Sequence, residues 1–287
     1  MLLLRICFAL LIVLLAGNAT AADSLGHVAD VRPEATGGLG QDRVLLVRGA
    51  ELREGETVVT GLNGEVQVLF SDQTRLVIGR GSSLVIERYL LRSDGTPEKF
   101  AVNALAGTFR FITGKGDKNV YRIATPTGTI GIRGTEFDFT VERGSGRTSV
   151  VLFEGGVVLC PTAGECVTMT ERCGVAQLVS RRQADLVDRE TDRAELAGTA
   201  FPYVASQSRL LREFRVTRAS QCAASIRAAE RQQERRIAAT DPRPPEVPPP
   251  QPEVKEKGNN GLGNGGEGSE GPDEQGNPGK NKNKNKP

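Results

Sequence analysis

Short stretches of alternating apolar and polar residues, separated by turns, fill the segment 26–179. A period of two places alternate side chains on opposite faces of a strand, so the pattern predicts strands rather than helices. The clearest example is the segment 65–70, in which Val66, Val68 and Phe70 share one face. Turns recur every ~8 to 12 residues, a spacing typical of a β-sandwich, a barrel or a β-solenoid.

The alternation predicts a series of short strands with Gly-rich turns between them. The predicted strands are 44–47, 52–60, 65–70, 74–78, 83–91, 100–105, 107–112, 121–124, 128–132, 136–141 and 148–159. Two weak internal similarities accompany them, one between 60–68 and 125–132 and one between 107–111 and 155–159. Because two matches do not establish a solenoid repeat, we interpret them as two layers built from similar hairpin units.

Helix-forming residues replace the strand pattern after Leu186. We predict one helix over 204–214 and a second over 218–239, which Pro242 ends. The second helix carries small and apolar residues at helical spacing, which would form one stripe on its surface. These residues are Ala219, Cys222, Ala223, Ile226, Ala229 and Ile237. The predicted fold is therefore mainly β, with a small C-terminal helical appendix.

Both ends of the chain differ in composition from this folded part. Residues 1–22 have the form of a secretory signal peptide, with Arg5, an apolar run over 6–16 and an Ala-Thr-Ala cleavage site at 19–21. An uncleaved anchor is the alternative, but the run is shorter than the ~20 residues that a spanning helix needs. Residues 241–287 are rich in Pro, Gly, Asn and Lys, which predicts a disordered tail.

The predicted organisation is a signal peptide (1–22), a β-domain (23–180, core 44–159), a helical appendix (181–240) and the disordered tail. We expect export to the periplasm or the cell exterior, and no transmembrane segment in the mature chain. The formal net charge is +2, which gives no reason to expect a nucleic-acid partner. The Arg-rich stretch 209–236 also contains glutamates, which favours a solvated helix face.

Four cysteines remain once Cys7 leaves with the signal peptide: Cys160, Cys166, Cys173 and Cys222. An even number in an exported protein favours two disulfides, with three possible pairings. Cys160 and Cys166 bracket a plausible hairpin loop, so we prefer a local bridge there and a bridge from Cys173 to Cys222. A zinc site is the alternative, but no CxxC pair is present and the single histidine, His27, is distant in sequence.

Candidate catalytic chemistry is sparse in this sequence. Asp72, Glu136 and Asp138 lie among the predicted strands and could serve a glycan-directed hydrolase, although a solvated β-face is the favoured interpretation. His27 lies near the predicted mature N-terminus, where chains are usually loosely held, and no serine stands in a GxSxG elbow. We therefore expect no catalytic residues, no metal and no cofactor.

The segment 121–139 contains glycines at 128, 131 and 134. This spacing invites a dinucleotide-binding interpretation, but that fingerprint must open a helix, and here a predicted strand follows. The glycines are better explained as turns, bulges or points of close backbone approach. Arg133, between apolar and glycine positions, could pair with a carboxylate, cap backbone carbonyls or face a ligand.

An ordered series of sequence blocks over 44–159 resembles the FecR-type domain. The blocks include VVTG at 58–61, NGEV at 63–66, FSDQT at 70–74, LVIG at 76–79, GTFRF at 107–111, TPTGTIGIRGTEF at 125–137 and EGGV at 154–157. Six positions of the longest block are candidate interaction residues: Thr125, Pro126, Gly128, Arg133, Gly134 and Thr135.

The resemblance implies a periplasmic, non-catalytic β-domain. It also implies, for the founding members, a membrane-spanning sensor in iron–siderophore signalling that controls a sigma factor. In this chain only residues 1–5 precede the apolar run. We therefore expect an exported binding module of the bacterial cell envelope, whose partner is another envelope protein or a glycan. The membrane-anchored sensor and the glycan-directed hydrolase are the alternatives.

Overall fold

The computed structural model describes residues 24–117 and 119–240, and within them the chain is mainly β-strand. The predicted signal peptide and the predicted disordered tail lie outside the described residues. Seventeen strands are present in the described part: β1 (Gly26–Arg32), β2 (Ala35–Leu39), β3 (Asp42–Leu45), β4 (Glu51–Leu52), β5 (Thr57–Thr60), β6 (Glu65–Phe70), β7 (Arg75–Ile78), β8 (Ser83–Leu91), β9 (Pro97–Ile112), β10 (Tyr121–Ala124), β11 (Gly128–Ile132), β12 (Glu136–Val141), β13 (Thr148–Glu154), β14 (Val157–Pro161), β15 (Val167–Met169), β16 (Val175–Ser180) and β17 (Gln183–Leu186).

The strands form two layers that share the long strand β9. One layer has the order β4-β1-β6-β7-β9-β12-β13-β16-β17. The other has the order β3-β2-β5-β8-β9-β10-β11-β14-β15. We call the first the covered sheet and the second the open sheet, because the C-terminal helices pack on the first alone. Neighbouring strands are antiparallel except for β9 and β10, which are parallel.

Strand β9 belongs to both layers because it bends at Gly107. Residues before the bend pair with β8 and β10, and residues from Gly107 onward pair with β7 and β12. Gly107 has a φ of +117°, a conformation that residues with a side chain rarely adopt. A Cβ atom there would lie 2.1 Å from Ser82 Oγ and 2.4 Å from Ser82 Cα. The bend therefore needs glycine for both its torsion angle and its space.

Replacing Gly107 by alanine is expected to lower the free energy of unfolding by roughly 2–3 kcal/mol, because the added Cβ meets the Ser82 backbone in a strained conformation. Urea unfolding measures the loss. Gly144→Ala is the matched control, since Gly144 also has positive φ (+92°) but no atom lies within 4 Å of the Cβ position. Equal losses in the two variants would show that the contact with Ser82 has no effect.

The hydrophobic core lies between the two sheets. Most strands contribute alternate residues to it, which is the period-two pattern of the sequence. The aromatic rings connect the layers: Phe70 and Phe111 of the covered sheet lie 4.9 Å and 5.6 Å, centroid to centroid, from Phe100 of the open sheet. Such edge-to-face contacts stabilise a core beyond the area they bury. This packing confirms the expectation of a mainly β, two-layer domain.

The helical appendix covers the outer face of the covered sheet. It contains α1 (Glu190–Ala200), α2 (Pro202–Ala205), a 3-10 turn (Arg212–Phe214) and α3 (Thr217–Thr240). Its apolar side chains pack in two clusters on β7, β9, β13 and β16. The stripe predicted on α3 is buried at Ala219, Cys222 and Ala223, which all lie in the first cluster. The division of the chain into a β-domain and an appendix at residue 180 remains a prediction, and β17 extends the sheet to Leu186.

Several predicted boundaries were wrong. Of the helix predicted over 204–214, residues 204–205 lie in α2, 206–211 form a loop and 212–214 form the 3-10 turn, because Leu210 and Phe214 pack on Val77 and the backbone follows them. The strand predicted over 148–159 is two strands, since Gly155 (φ +84°) carries the chain from one sheet to the other. Strands β1 and β2 had no separate prediction, and the strand predicted at 44–47 is β3, two residues earlier.

Two disulfides are present in the described part of the chain, which confirms the expectation from the cysteine count. Cys160 pairs with Cys166 across the turn between β14 and β15. Cys173 pairs with Cys222 and joins the turn before β16 to α3. The second bridge fastens the appendix to the covered sheet, where Cys222 is fully buried.

Candidate functional site

The six candidate interaction residues lie at the two ends of β11. Thr125 and Pro126 lie in the turn before the strand and Gly128 is its first residue, and the Thr125 hydroxyl donates to the Gly128 carbonyl (3.1 Å). A Cβ at Gly128 would lie 2.2 Å from the Cys160 carbonyl oxygen, so this turn packs tightly on β14. These contacts explain why the motif has Thr, Pro and Gly at these positions without a role in binding.

The other three residues carry the chain from the open sheet to the covered sheet. The Thr135 N–H donates to the Thr113 hydroxyl (2.8 Å), and the Thr113 hydroxyl donates to the Thr135 carbonyl (2.9 Å). Arg133 is exposed. Four residues of β11 lie between the two groups, and the five steps from Gly128 to Arg133 span about 17 Å at ~3.3 Å per residue, so the six positions do not form one site. A role for Arg133 in binding stays a prediction.

Asp72 is buried in a closed hydrogen-bond network. Its carboxylate accepts from the Thr74 N–H (3.0 Å), the Thr74 hydroxyl (2.7 Å) and the Tyr121 hydroxyl (2.7 Å). Its own N–H donates to the Tyr89 hydroxyl (3.0 Å). Burial raises the pKa of both tyrosines, so their phenols stay protonated. The network fixes the turn after β6, and Asp72 is only 2 % exposed.

Asp138 and Arg110 form a buried ion pair on the outer face of the covered sheet. They are directly opposite each other on β12 and β9. Arg110 Nε lies 2.6 Å from Asp138 Oδ1, and Arg110 Nη2 lies 2.8 Å from Asp138 Oδ2. This bidentate geometry favours the charged forms of both side chains. Both side chains are 0 % exposed. Burial raises the pKa of Asp138, and the Arg110 charge opposes that shift.

The appendix closes over this ion pair. Arg110 also donates to the Tyr203 carbonyl (3.2 Å) and to the Gln207 side chain, and its guanidinium lies 5.4 Å from the ring centroids of Phe153 and Tyr203. The expectation of a solvated face for Asp138 was therefore wrong. The sequence did not show that the appendix would cover this polar face, and Arg110 was not recognised as the partner of Asp138.

Glu136 lies two residues from Asp138 on the same face and is half-buried. Burial, with a further contribution from the Glu154 charge, raises the pKa of its carboxyl. A raised pKa on one carboxyl does not make a hydrolytic site, because the second carboxyl has to reach the substrate as well. Asp138 is enclosed with Arg110, and Asp72 is enclosed with Thr74 and Tyr121.

His27 is exposed on β1, opposite Leu69 of β6. The expectation that the chain would be loosely held there was wrong, since β1 is paired with both β4 and β6. Among residues 24–117 and 119–240, no three His, Cys, Asp or Glu side chains are grouped closely enough to hold a metal ion. In the same part of the chain, no helix has the length and apolar character needed to cross a membrane.

The open sheet has an exposed outer face with a groove of about 600 Å³ over β8, β9 and β10. Because Phe100 and Val102 face the core, the alternate residues Lys99 and Ala101 face outward. Strand register places Arg88 on β8 and Arg122 on β10 on either side of Ala101. The short Ala101 side chain forms the floor, and the two arginines form the walls. We call this feature the outer groove.

The outer groove contains charges of both signs. Arg88, Lys99 and Arg122 supply three cations, and Glu87 and Glu98 supply two carboxylates. Arg88 is also held by Glu54, with Nε 3.4 Å from the carboxylate. Arginine guanidinium groups bind carboxylates in a bidentate geometry, so Arg88 and Arg122 are suited to binding a ligand with acidic groups. Sequence analysis missed these residues, because only the register of three strands brings them together.

A comparison with protein families identifies the central part of the chain. A family model described as FecR protein matches residues 56–158. This segment is similar to the FecR family. The match begins just before β5 and ends within β14, so the matched segment includes the outer groove, the bend at Gly107 and the Arg110–Asp138 pair. Strands β1–β4 precede the match, and β15–β17 and the appendix follow it.

Comparison with solved structures finds two crystal structures of a candidate anti-sigma factor from Parabacteroides distasonis ATCC 8503. One is 16 % identical with a TM-score of 0.37, and the alignment covers 50 % of this chain and 65 % of that one. The other is 15 % identical with a TM-score of 0.38, covering 50 % and 64 %. The chain thus spans less than two thirds of these structures. No match was found among curated proteins.

Proposed function

We propose that this protein is an exported FecR-domain protein of the bacterial cell envelope that binds another envelope protein through the outer groove and does not act as a catalyst. The observation that carries the proposal is the difference between the two sheets. The appendix covers the outer face of one sheet, whereas no described element packs on the outer face of the other, which holds the groove.

Export is supported by two independent features. Residues 1–22 have the form of a cleavable signal peptide. All four remaining cysteines are in disulfides, which persist in an oxidising compartment such as the periplasm. The alternative is a membrane-anchored sensor with an uncleaved leader. N-terminal sequencing separates the two, because a start near Ala22 or Asp23 supports export and an intact Met1 supports the sensor.

Binding is a better explanation than hydrolysis for the acidic residues. Asp72 and Asp138 have their oxygens engaged by buried partners, so neither carboxylate is placed to meet a polymeric substrate. The outer groove, in contrast, is open to solvent and flanked by exposed arginines. Polar, charged surfaces of this kind give specificity and rapid association in protein complexes.

Affinity capture from a periplasmic extract tests the proposal. We expect the tagged full chain to capture a protein partner, and the variant Arg88→Glu/Arg122→Glu to capture it at least ~10-fold less, which corresponds to ~1.4 kcal/mol. The matched control is Arg80→Glu/Arg147→Glu, which makes the same charge change at two exposed arginines outside the groove. Circular dichroism and size exclusion establish that all forms are folded.

Two outcomes would contradict the proposal. If the groove variant and the control capture the same partner equally well, the outer groove is not the binding surface. If the wild type retains a glycan and no protein, the partner class is wrong. The predicted tail lies outside the described residues, so the experiment uses the full chain with and without residues 241–287.

A further inference from the structure

Strand β3 is one of the two outer edges of the open sheet. It pairs with β2 alone, and its other side has no strand partner among the described residues. The Leu46 N–H donates to the Ala35 carbonyl (2.9 Å), which fixes the alternation of backbone groups along the hairpin. Residues 42, 44 and 46 therefore bond to β2, and Arg43 and Leu45 present their N–H and C=O groups to solvent.

The β2–β3 hairpin carries a concentration of exposed apolar side chains. Val44 is 69 % exposed, Leu45 72 %, Val47 62 % and Leu39 53 %. Leu46 points into the core, so Val44 lies on the core side of the sheet, and Leu45 and Val47 lie on the opposite side. Both faces of the free edge are therefore apolar.

The second half of β3 and the two residues after it have the composition of an interior strand. Strands buried on both faces have near-continuous apolar runs, as in Val-Leu-Leu-Val at 44–47. Edge strands are normally short, charged or covered, because an open apolar edge pairs with other chains. Asp42 and Arg43 in the first half of β3 follow that rule, whereas Val44 and Leu45 do not, and the remaining edges of the two sheets are short or polar. β4 has two residues, β15 has three, and β17 carries Gln183 and Asp185.

We propose that β3 pairs with β3 of a second copy of this chain, antiparallel and about a two-fold axis. The register that uses the whole strand places Val44 opposite Val44 of the second copy, and Arg43 opposite Leu45. The outward N–H and C=O groups of Arg43 and Leu45 then bond across the axis. Val44 packs on Val44 of the second copy on one face, and Leu45 packs on the aliphatic part of the opposite Arg43 on the other.

The charges of the hairpin are compatible with a second copy. Arg48 is paired with Asp30 at 2.5 Å, which leaves Asp42 and Arg43 as adjacent, opposite charges. Two identical hairpins therefore do not repel each other. An anionic lipid surface is a poorer match, because Asp42 lies beside the apolar residues and such surfaces attract basic segments. A two-fold contact of this kind is also the commonest form of self-association.

The dimer would extend the open sheet across the axis and place both outer grooves on the same face of one continuous sheet. This inference is independent of the proposed function, since β3 lies outside the groove. The edge is short, so the contact belongs to the small, weak class of interfaces. We expect a dissociation constant on the order of 10 to 100 μM.

Analytical ultracentrifugation of the full chain over about 1 to 500 μM tests the proposal. The wild type is expected to change from monomer to dimer over this range. Val44→Lys/Leu45→Lys is expected to stay monomeric, because each edge would bring two buried cations into the contact. The matched control is Leu62→Lys, which changes the most exposed apolar residue of the described chain (81 %) away from β3 and is expected to dimerise as the wild type does.

A wild type that is monomeric throughout would overturn the proposal, as would a dimer that persists in the β3 variant. If the wild type stays monomeric but sediments with anionic vesicles, and the β3 variant does not, the apolar hairpin binds lipid and the proposal is wrong. If the β3 variant alone is monomeric and retains the circular dichroism spectrum of the wild type, the edge-to-edge contact is supported.

Discussion

Replacing Asp138 by alanine is expected to lower the free energy of unfolding by about 3–5 kcal/mol. The variant would leave the Arg110 guanidinium fully buried without its carboxylate, between the covered sheet and the appendix. An unpaired buried charge is costly because it has lost its hydration and gains little from the surrounding apolar groups. Urea unfolding, with the midpoint and the slope measured separately, gives the loss.

The double variant Arg110→Met/Asp138→Leu is the control for this prediction. It removes both charges and keeps side chains of similar length, so it should recover most of the stability that the single variant loses. Gln207 would lose its partner Arg110, and the recovery would therefore be incomplete. A single variant within ~1 kcal/mol of the wild type would contradict the assignment, because the ion pair would then be open to water.

Removing the Cys173–Cys222 disulfide is expected to lower the free energy of unfolding by about 4 kcal/mol. The bridge closes a loop of 49 residues, and the chain-entropy estimate for a loop of this length gives ~4 kcal/mol. The Cys160–Cys166 bridge spans only six residues, for which the same estimate gives ~2 kcal/mol. Comparing Cys173→Ala/Cys222→Ala with Cys160→Ala/Cys166→Ala by urea unfolding tests both values.

Hydrogen exchange distinguishes the two bridges in a second way. Without Cys173–Cys222, α3 keeps only its non-covalent contacts with the covered sheet, so its amides should exchange faster than those of the core strands. Loss of the Cys160–Cys166 bridge should leave α3 unchanged. If the two double variants lose equal stability and α3 exchanges at the wild-type rate in both, the long bridge does not hold the appendix in place.

Local sequence patterns predicted the layers of this fold well. Alternation in segments such as 65–70 and 136–141 was sufficient to locate β6 and β12, because side-chain direction in a strand depends on the strand alone. The pairing of Cys173 with Cys222 agreed as well, since the stripe on α3 needed a surface to cover. The strand positions depend on residues close together in the chain, whereas this disulfide joins residues 49 positions apart.

Tertiary packing decided the features that the sequence did not reveal. The loop 206–211 has helix-forming residues, yet Gln67 accepts a hydrogen bond from the Leu211 N–H (2.8 Å) and Leu210 is buried beside Val77. Contacts with a distant strand thus outweigh local propensity. The sequence pattern predicted two strands, 100–105 and 107–112, whereas the positive φ of Gly107 allows the single strand β9 to bend while its ladder continues.

The candidate site was less predictable than the fold. Arg88, Ala101 and Arg122 are separated by 13 and 21 positions, and each looks like an ordinary strand residue in sequence. Only the antiparallel register of β8 with β9 and the parallel register of β9 with β10 bring them together. The motif residues at 125–135, in contrast, attracted notice because tight turns need Thr, Pro and Gly. These residues form a recognisable motif because the local backbone geometry requires them, and they do not form one site.

Site-specific photo-crosslinking in living cells tests the central claim most directly. A photoreactive residue at Lys99 lies in the outer groove, and the same residue at Arg147 is the exposed control. We predict that Lys99 gives a covalent adduct with one envelope protein in the periplasmic fraction, and that Arg147 does not. The absence of any protein adduct from Lys99, or the same adduct from both positions, would contradict binding through the outer groove.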